Sequence, residues 1–175
     1  KSVVLVGQSQ GGGAAFATAG EAAAYAPELD IRGTVATGTP YFTTTTAPAE
    51  RDPTAVSGVF AYTLYVMYLV EQADKDFRIA DYVSDKAKPV METTSTQCLM
   101  AAWSQIEKEG LNQANSFVQD PTPVMTKYFP LMAYSSLKLK GPVFMGTGGK
   151  DEDVPPPGQE RLFKDACAAG SVIEH

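Results

Sequence analysis

VVLVGQSQGGGAAF, residues Val3 to Phe16, passes from an apolar run through a serine flanked by glycines into alanine. Ser2 to Val6 is short, continuous and β-branched, the pattern of a strand buried on both faces of a parallel sheet. Gly11 to Tyr25 (GGGAAFATAGEAAAY) is alanine-rich and predicts a helix that ends before Pro27. After the turn-like PELD, Ile31 to Thr37 (IRGTVAT) predicts a second strand. Strand, helix and strand in this order form the unit of a parallel α/β sheet, because parallel neighbours need a long crossover between them.

Gly7-Gln8-Ser9-Gln10-Gly11 fits the pattern G-x-S-x-G in the strand-to-helix context that the pattern requires. A serine on so sharp a turn needs small residues two positions away on both sides, where a side chain would strike the neighbouring strand or helix. The turn lifts the Ser9 hydroxyl above the sheet edge and makes it a candidate nucleophile. It also aims the first N–H groups of the helix, that of Gln10 among them, at the place where an oxyanion would form. A plain glycine-rich turn is the alternative; a P-loop is excluded because no Gly-Lys-Ser/Thr follows.

From about Thr43 the character changes. TTTTAPAERDPT is linker-like, and apolar residues then recur at helical spacing through VSGVFAYTLYVMYLVEQA and MAAWSQIEKE. Residues 44–137 are therefore predicted to be a mostly helical insertion, too long for a simple connection between strands. Its stripe of Phe60, Tyr62, Tyr65, Met67, Tyr68, Met125, Tyr128, Phe129 and Met132 reads mainly as core. Over a nucleophile, the remainder of such a stripe lines an acyl-chain tunnel or meets a lipid surface. Trp103 reads as a buried anchor. Pro142 to Thr147 predicts a third strand, followed by an acidic loop and a proline stop. Next comes a helix with Leu162, Phe163 and Ala166 on one face and Gly170 as its glycine cap. Ser171 to His175 begins a fourth strand.

The 175 residues carry a net charge of -6 with no Lys/Arg cluster, which argues against a nucleic-acid partner. The most apolar run, Val59 to Val70, falls short of the roughly 20 residues that a spanning helix needs. No signal-peptide pattern stands at Lys1. Cys98 and Cys167 are either a disulfide or two buried thiols.

The stretch GQSQGGGAAFATAGEAAAYAPELDIRGTVATGTP resembles the serine turn of α/β-hydrolases and, among them, of the secretory lipase family of actinobacteria and fungi, through its S-Q-G-G and Y-A-P-E-L segments. The similarity spans Val3 to Pro40 and Pro142 to Gly170; the helical middle resembles the family's lid only in kind. The resemblance implies an α/β fold holding the last four strands of an α/β-hydrolase parallel sheet, with residues 1–43 and 138–175 as core and 44–137 as a helical lid. It also implies a triad in the order Ser, Asp, His. The segment GTGGKDEDVP is similar to the family's G-x-x-D-x-x-V-P, and alignment on Val154-Pro155 puts the acid at Asp151. Asp153 is its rival, and a solvated run of Asp151, Glu152 and Asp153 is the bland alternative.

The one histidine, His175, comes five residues after Gly170, whereas in the family the base lies about one loop further on. His175 is thus expected to be a strand residue, with the base beyond the chain end; His175 as the base is the alternative. The family's strands before the elbow, with the second oxyanion donor, would likewise precede Lys1, so the N-terminal half of the core is an implied partner. The function implied is that of a secreted lipase or carboxylesterase that hydrolyses carboxylic esters such as acylglycerols through an acyl-enzyme. It would use no metal or organic cofactor and would touch a lipid interface transiently. A peptidase or acyltransferase on the same fold is one alternative, and a non-catalytic hydrolase-like binding protein is another.

Overall fold

The computed structural model describes residues 1–43 and 52–175. In chain order its elements are β1 (Ser2–Gln8), α1 (Gln10–Tyr25), β2 (Asp30–Thr37), α2 (Phe60–Ala73), α3 (Lys88–Thr96), α4 (Leu99–Glu109), α5 (Gln113–Ser116), α6 (Thr122–Tyr128), β3 (Val143–Gly146), α7 (Pro156–Ala168) and β4 (Ile173–Glu174). They fall into two compact units, Lys1–Thr45 with Met132–His175, and Thr46–Leu131. The predicted linker residues 44–51 lie outside the described residues.

In the first unit the four strands are parallel and adjacent in chain order. Their register aligns Leu5, Thr34, Val143 and Ile173 in one row and Val6, Val35, Phe144 and Glu174 in the next. Paired residues share a face and successive residues alternate, so the two rows face opposite ways. The first row meets Phe16 and Ala19 of α1 and Leu162 and Ala166 of α7, which pack with Val143, Met145 and Leu139 into one core. Helix α7 ends as its glycine predicts, although Ala169 is the cap and Gly170, at φ 94°, stands one position beyond it.

The second row corrects one expectation. β1 is not buried on both faces: Val4 and Val6 are 59% and 72% exposed, as are Phe144 at 46% and Val172 at 73%. Both helices of this unit pack on the inner row, so the outer face, with a groove lined by Val4, Val35, Phe144 and Val172, is bare among the described residues. Parallel sheets are covered on both faces as a rule.

The second unit is helical. Phe60, Ala61, Leu64, Met67 and Val70 of α2 are buried, at the spacing of one helical face. They meet a core that also holds Val90, Ala102, Ile106 and Leu111. Tyr68 ties α2 to α3 by donating to Met91 O at 2.7 Å, and Thr93 ties α3 to α4 by donating to Gln105 Oε1 at 2.6 Å. Of the predicted stripe, Phe60, Met67, Met125 and Phe129 are buried, while the others are half-buried. Trp103 is half-buried rather than an internal anchor. Its indole donates to Glu107 Oε1 at 2.8 Å and lies against Gly58, where a Cβ would come within 2.0 Å of the ring. No helix among the described residues is long and apolar enough to cross a membrane. The two cysteines are free thiols and exposed, so neither the disulfide nor the buried pair is realised.

Asp74, at the C-terminal end of α2, accepts a 2.6 Å hydrogen bond from Tyr128, which holds its carboxyl below the usual carboxylate range; bonding to the Asp76 N–H adds to this. A depressed pKa contributes stability above the ordinary value of about 4 and loses it as pH falls through the depressed value. Tyr128→Phe is therefore expected to destabilise the protein near neutrality. The gap to the parent should narrow in acid, read from urea melts at a series of pH values.

Candidate active site

Ser9 joins β1 to α1 and is the only non-glycine residue with positive φ among the described residues, at φ 54° and ψ -122°. Such a conformation costs on the order of 1–3 kcal/mol and persists only where the surroundings enforce it. Two features do so here: the Ser9 N–H donates to Thr37 O at 2.8 Å, and Gly13 N–H bonds Ser9 O at 3.0 Å to open the helical ladder. The N–H groups of Gln10, Gly11 and Gly12 precede that first bond, so they are the orphan donors of the helix. The Ser9 hydroxyl makes no capping bond and is not tied to the helix it begins.

The glycines divide the steric work differently from the expectation. Gly7 is indispensable as predicted, since a Cβ there would lie 1.9 Å from Gly11 O. At Gly11 a Cβ would meet nothing within 4 Å, so the expected clash on that side is absent among the described residues. The close approach falls one residue later: at Gly12 a Cβ would lie 2.7 Å from Thr37 O and 2.9 Å from Thr39 Oγ1. Backbone against backbone leaves nothing flexible to move. Gly12→Ala is expected to destabilise the chain by about 1–3 kcal/mol, the range of core overpacking. Gly11→Ala should be neutral or slightly stabilising, because alanine favours the helix. Thermal melts of the two variants check the pair.

Asp151 lies on the loop after β3. Its Oδ1 accepts the N–H groups of Asp153 at 3.1 Å and Val154 at 2.9 Å, and its Oδ2 accepts from Gln159 Nε2 at 3.2 Å. Asp151 Oδ2 and the Ser9 backbone both fall within 4 Å of the point where a side chain on Gly38 would begin. Gly38 itself sits at φ 57°, directly after β2. The structure thus brings Ser9 and Asp151 to one glycine. Asp153 and Glu152 are exposed, and Asp153 meets Asp151 through its backbone.

The segment after β2 is held by Tyr134, whose hydroxyl donates to Pro40 O at 2.6 Å while its ring packs on Phe16, centroids 4.7 Å apart. Burial, with a smaller contribution from Tyr41, pushes the Tyr134 phenol far above its ordinary range, so it stays a neutral donor. Burial and then the hydrogen bond to Asp165 raise Tyr41 in the same sense.

His175 follows β4 as an exposed residue, not a strand residue as expected. Its Nε2 lies 2.8 Å from Thr147 Oγ1 and its ring stacks on Phe163 at 4.6 Å. Its hydrogen bond goes to neither Ser9 nor Asp151. Reading the sequence missed Gln159 and Gly38. Gln159 carried a signal, since it stands at i with Leu162, Phe163 and Ala166 at i+3, i+4 and i+7, a polar residue on the apolar stripe of its helix.

Parallel strands with helices between them and a strained serine turn at the end of β1 make this an α/β-hydrolase fold. The chain belongs to the secretory lipase family, whose family model matches residues 1–175. It is similar to the solved structure of lipase A from Candida antarctica, with a TM-score of 0.69 and 22% identity over 99% of this chain and 42% of that one. It is also similar to the rice cell wall degrading esterase LipA from Xanthomonas oryzae, with a TM-score of 0.74 and 16% identity over 99% of this chain and 50% of that one. The chain therefore spans about half the length of these solved proteins. A search of curated proteins returns no match.

Proposed function

We propose that this chain carries the nucleophile and the acid of a serine ester hydrolase of lipase type. The observation that supports it best is that Ser9, held at φ 54°, and the Asp151 carboxylate converge on Gly38. In this reading Ser9 Oγ attacks the ester carbonyl while a histidine takes its proton. The Gln10 N–H holds part of the resulting oxyanion. The histidine then protonates the leaving alcohol, and water releases the acyl group by the same steps in reverse. Asp151 orients the imidazole and stabilises it when charged.

The base must hydrogen-bond Asp151, and His175 is engaged by Thr147 instead. We assign the base, the second oxyanion donor and the cover of the bare sheet face to the N-terminal and C-terminal remainder of the hydrolase core. Exposed Val4, Val6, Phe144 and Val172 support this, as does the half-length match to the solved relatives. Secretion, acylglycerol or related ester substrates and transient contact with a lipid interface belong to the same reading, supported by the family.

The test is pre-steady-state hydrolysis of p-nitrophenyl esters of increasing acyl length by the full-length protein. A burst of p-nitrophenol followed by slower turnover is the expected result, and activity confined to peptides would overturn it. The engagement of His175 favours one second reading, a hydrolase-like protein without catalysis. Folded protein with neither burst nor turnover would select that reading.

A further inference from the structure

The carboxylate of Asp151 is not held by its own loop alone. Gln159, in the first turns of α7, is 1% exposed and sends its Nε2 to Val154 O at 2.6 Å and to Asp151 Oδ2 at 3.2 Å. Both acceptors are oxygens that carry no hydrogen, so only the amide's NH₂ can face them, and its two hydrogens match the two acceptors. A buried amide so committed is expensive to leave unpaired. Its helix is anchored in the core through Leu162 and Ala166, so the carboxylate is referenced to a rigid element rather than to a surface loop.

We propose that Gln159 is a positioning residue for the acid of the triad, an inference that rests on the reading of Ser9 and Asp151 above. Oδ1 is fixed by two backbone N–H groups, which orient the carboxylate within its loop. Gln159 then sets the direction of Oδ2, the oxygen on the Gly38 side, which has a second lone pair for an imidazole N–H. By bonding Val154 O as well, Gln159 fixes the loop and the carboxylate together. A neutral donor suits this place: a lysine or arginine would neutralise the charge that Asp151 must present to the imidazolium, and an apolar side chain would strand Val154 O and one carboxylate oxygen. Besides Asp151, the ionisable side chains on the loop are Lys150, Glu152 and Asp153, and those on α7 are Glu160, Arg161, Lys164, Asp165 and Cys167. The end of β2 and the first turn of α1 contribute none.

Gln159→Met and Gln159→Glu in the full-length protein, measured beside Asp151→Asn with a p-nitrophenyl ester, test the proposal. Gln159→Met is expected to lower kcat about 10-fold with KM unchanged, within the range that misplacing a catalytic group produces. Gln159→Glu is nearly isosteric and carries the test should Gln159→Met unfold. Two carboxyls in one buried place share a proton at low pH, where the acid form of the new residue donates to Asp151 as the amide did, and repel once both ionise. The kcat of Gln159→Glu relative to the parent should therefore rise as pH falls; a role in packing alone predicts a constant ratio. If Asp151→Asn is inactive while both Gln159 variants keep kcat within twofold, or the Gln159→Glu ratio does not change with pH, the positioning role is overturned and the triad stands. If Asp151→Asn remains fully active, the triad reading fails and this inference falls with it.

Discussion

Ser9→Ala in the full-length protein is expected to lower kcat/KM for a p-nitrophenyl ester by about 10⁴-fold or more, the scale on which a nucleophilic serine acts together with its partners. The loss should come without unfolding. Ser9 makes no side-chain capping bond, and alanine suffers the same backbone strain at φ 54°. Ser9→Gly separates function from stability further. Glycine reaches positive φ freely, so the variant should be as inactive as Ser9→Ala but melt higher. An inactive enzyme that is more stable is the signature of strain kept for a functional purpose. Retention of activity in Ser9→Ala would show that ester hydrolysis has another nucleophile.

Asp151→Asn is expected to cost about 10⁴-fold in kcat, the loss typical when the acid of a triad becomes an amide that cannot hold the imidazole in its working tautomer. Asp153→Asn should change kcat by less than about threefold, in line with an exposed side chain in a charge run. The contrast follows from the loop. Asp151 turns its carboxylate inward, where Asp153 N–H, Val154 N–H and Gln159 hold it, while Asp153 gives the site only its backbone. Since the asparagine side chain of the Asp151→Asn variant could still accept at one oxygen, the loop should remain folded, and a melt within a few degrees of the parent checks this. An equal loss in both variants would mean that the charge of the loop, and not one positioned carboxylate, matters.

Much of the fold was legible because it rests on local patterns. The apolar run at Ser2 to Val6, the alanine helix and the strand at Ile31 each lie within a residue or two of the observed elements. The serine turn was legible for the same reason, since strand, glycine, serine and helix are neighbours in sequence. The exposure of Val4 and Val6 was not legible. A β-branched run says that both faces of a strand are apolar, but whether both are covered depends on where α1 and α7 dock, and both dock on the row of Leu5 and Val143.

The glycines show the same boundary at smaller scale. The motif pointed to Gly7 and Gly11, whereas the contact that excludes a side chain at Gly12 comes from Thr37 and Thr39, more than twenty residues away. Gln159 reaches Asp151 across eight residues and a proline turn, so its role emerges only when α7 is placed against the loop. Its place on the apolar stripe of α7 was the one trace of this in the sequence.

The central claim, that the strained serine at the end of β1 is an activated nucleophile, is tested most directly by fluorophosphonate labelling of the folded full-length protein followed by peptide mass mapping. One stoichiometric adduct is expected, on Ser9, lost in Ser9→Ala and slowed strongly in Asp151→Asn. Folded protein that leaves Ser9 unlabelled, or that takes the label equally well with Asp151 replaced, would contradict that claim.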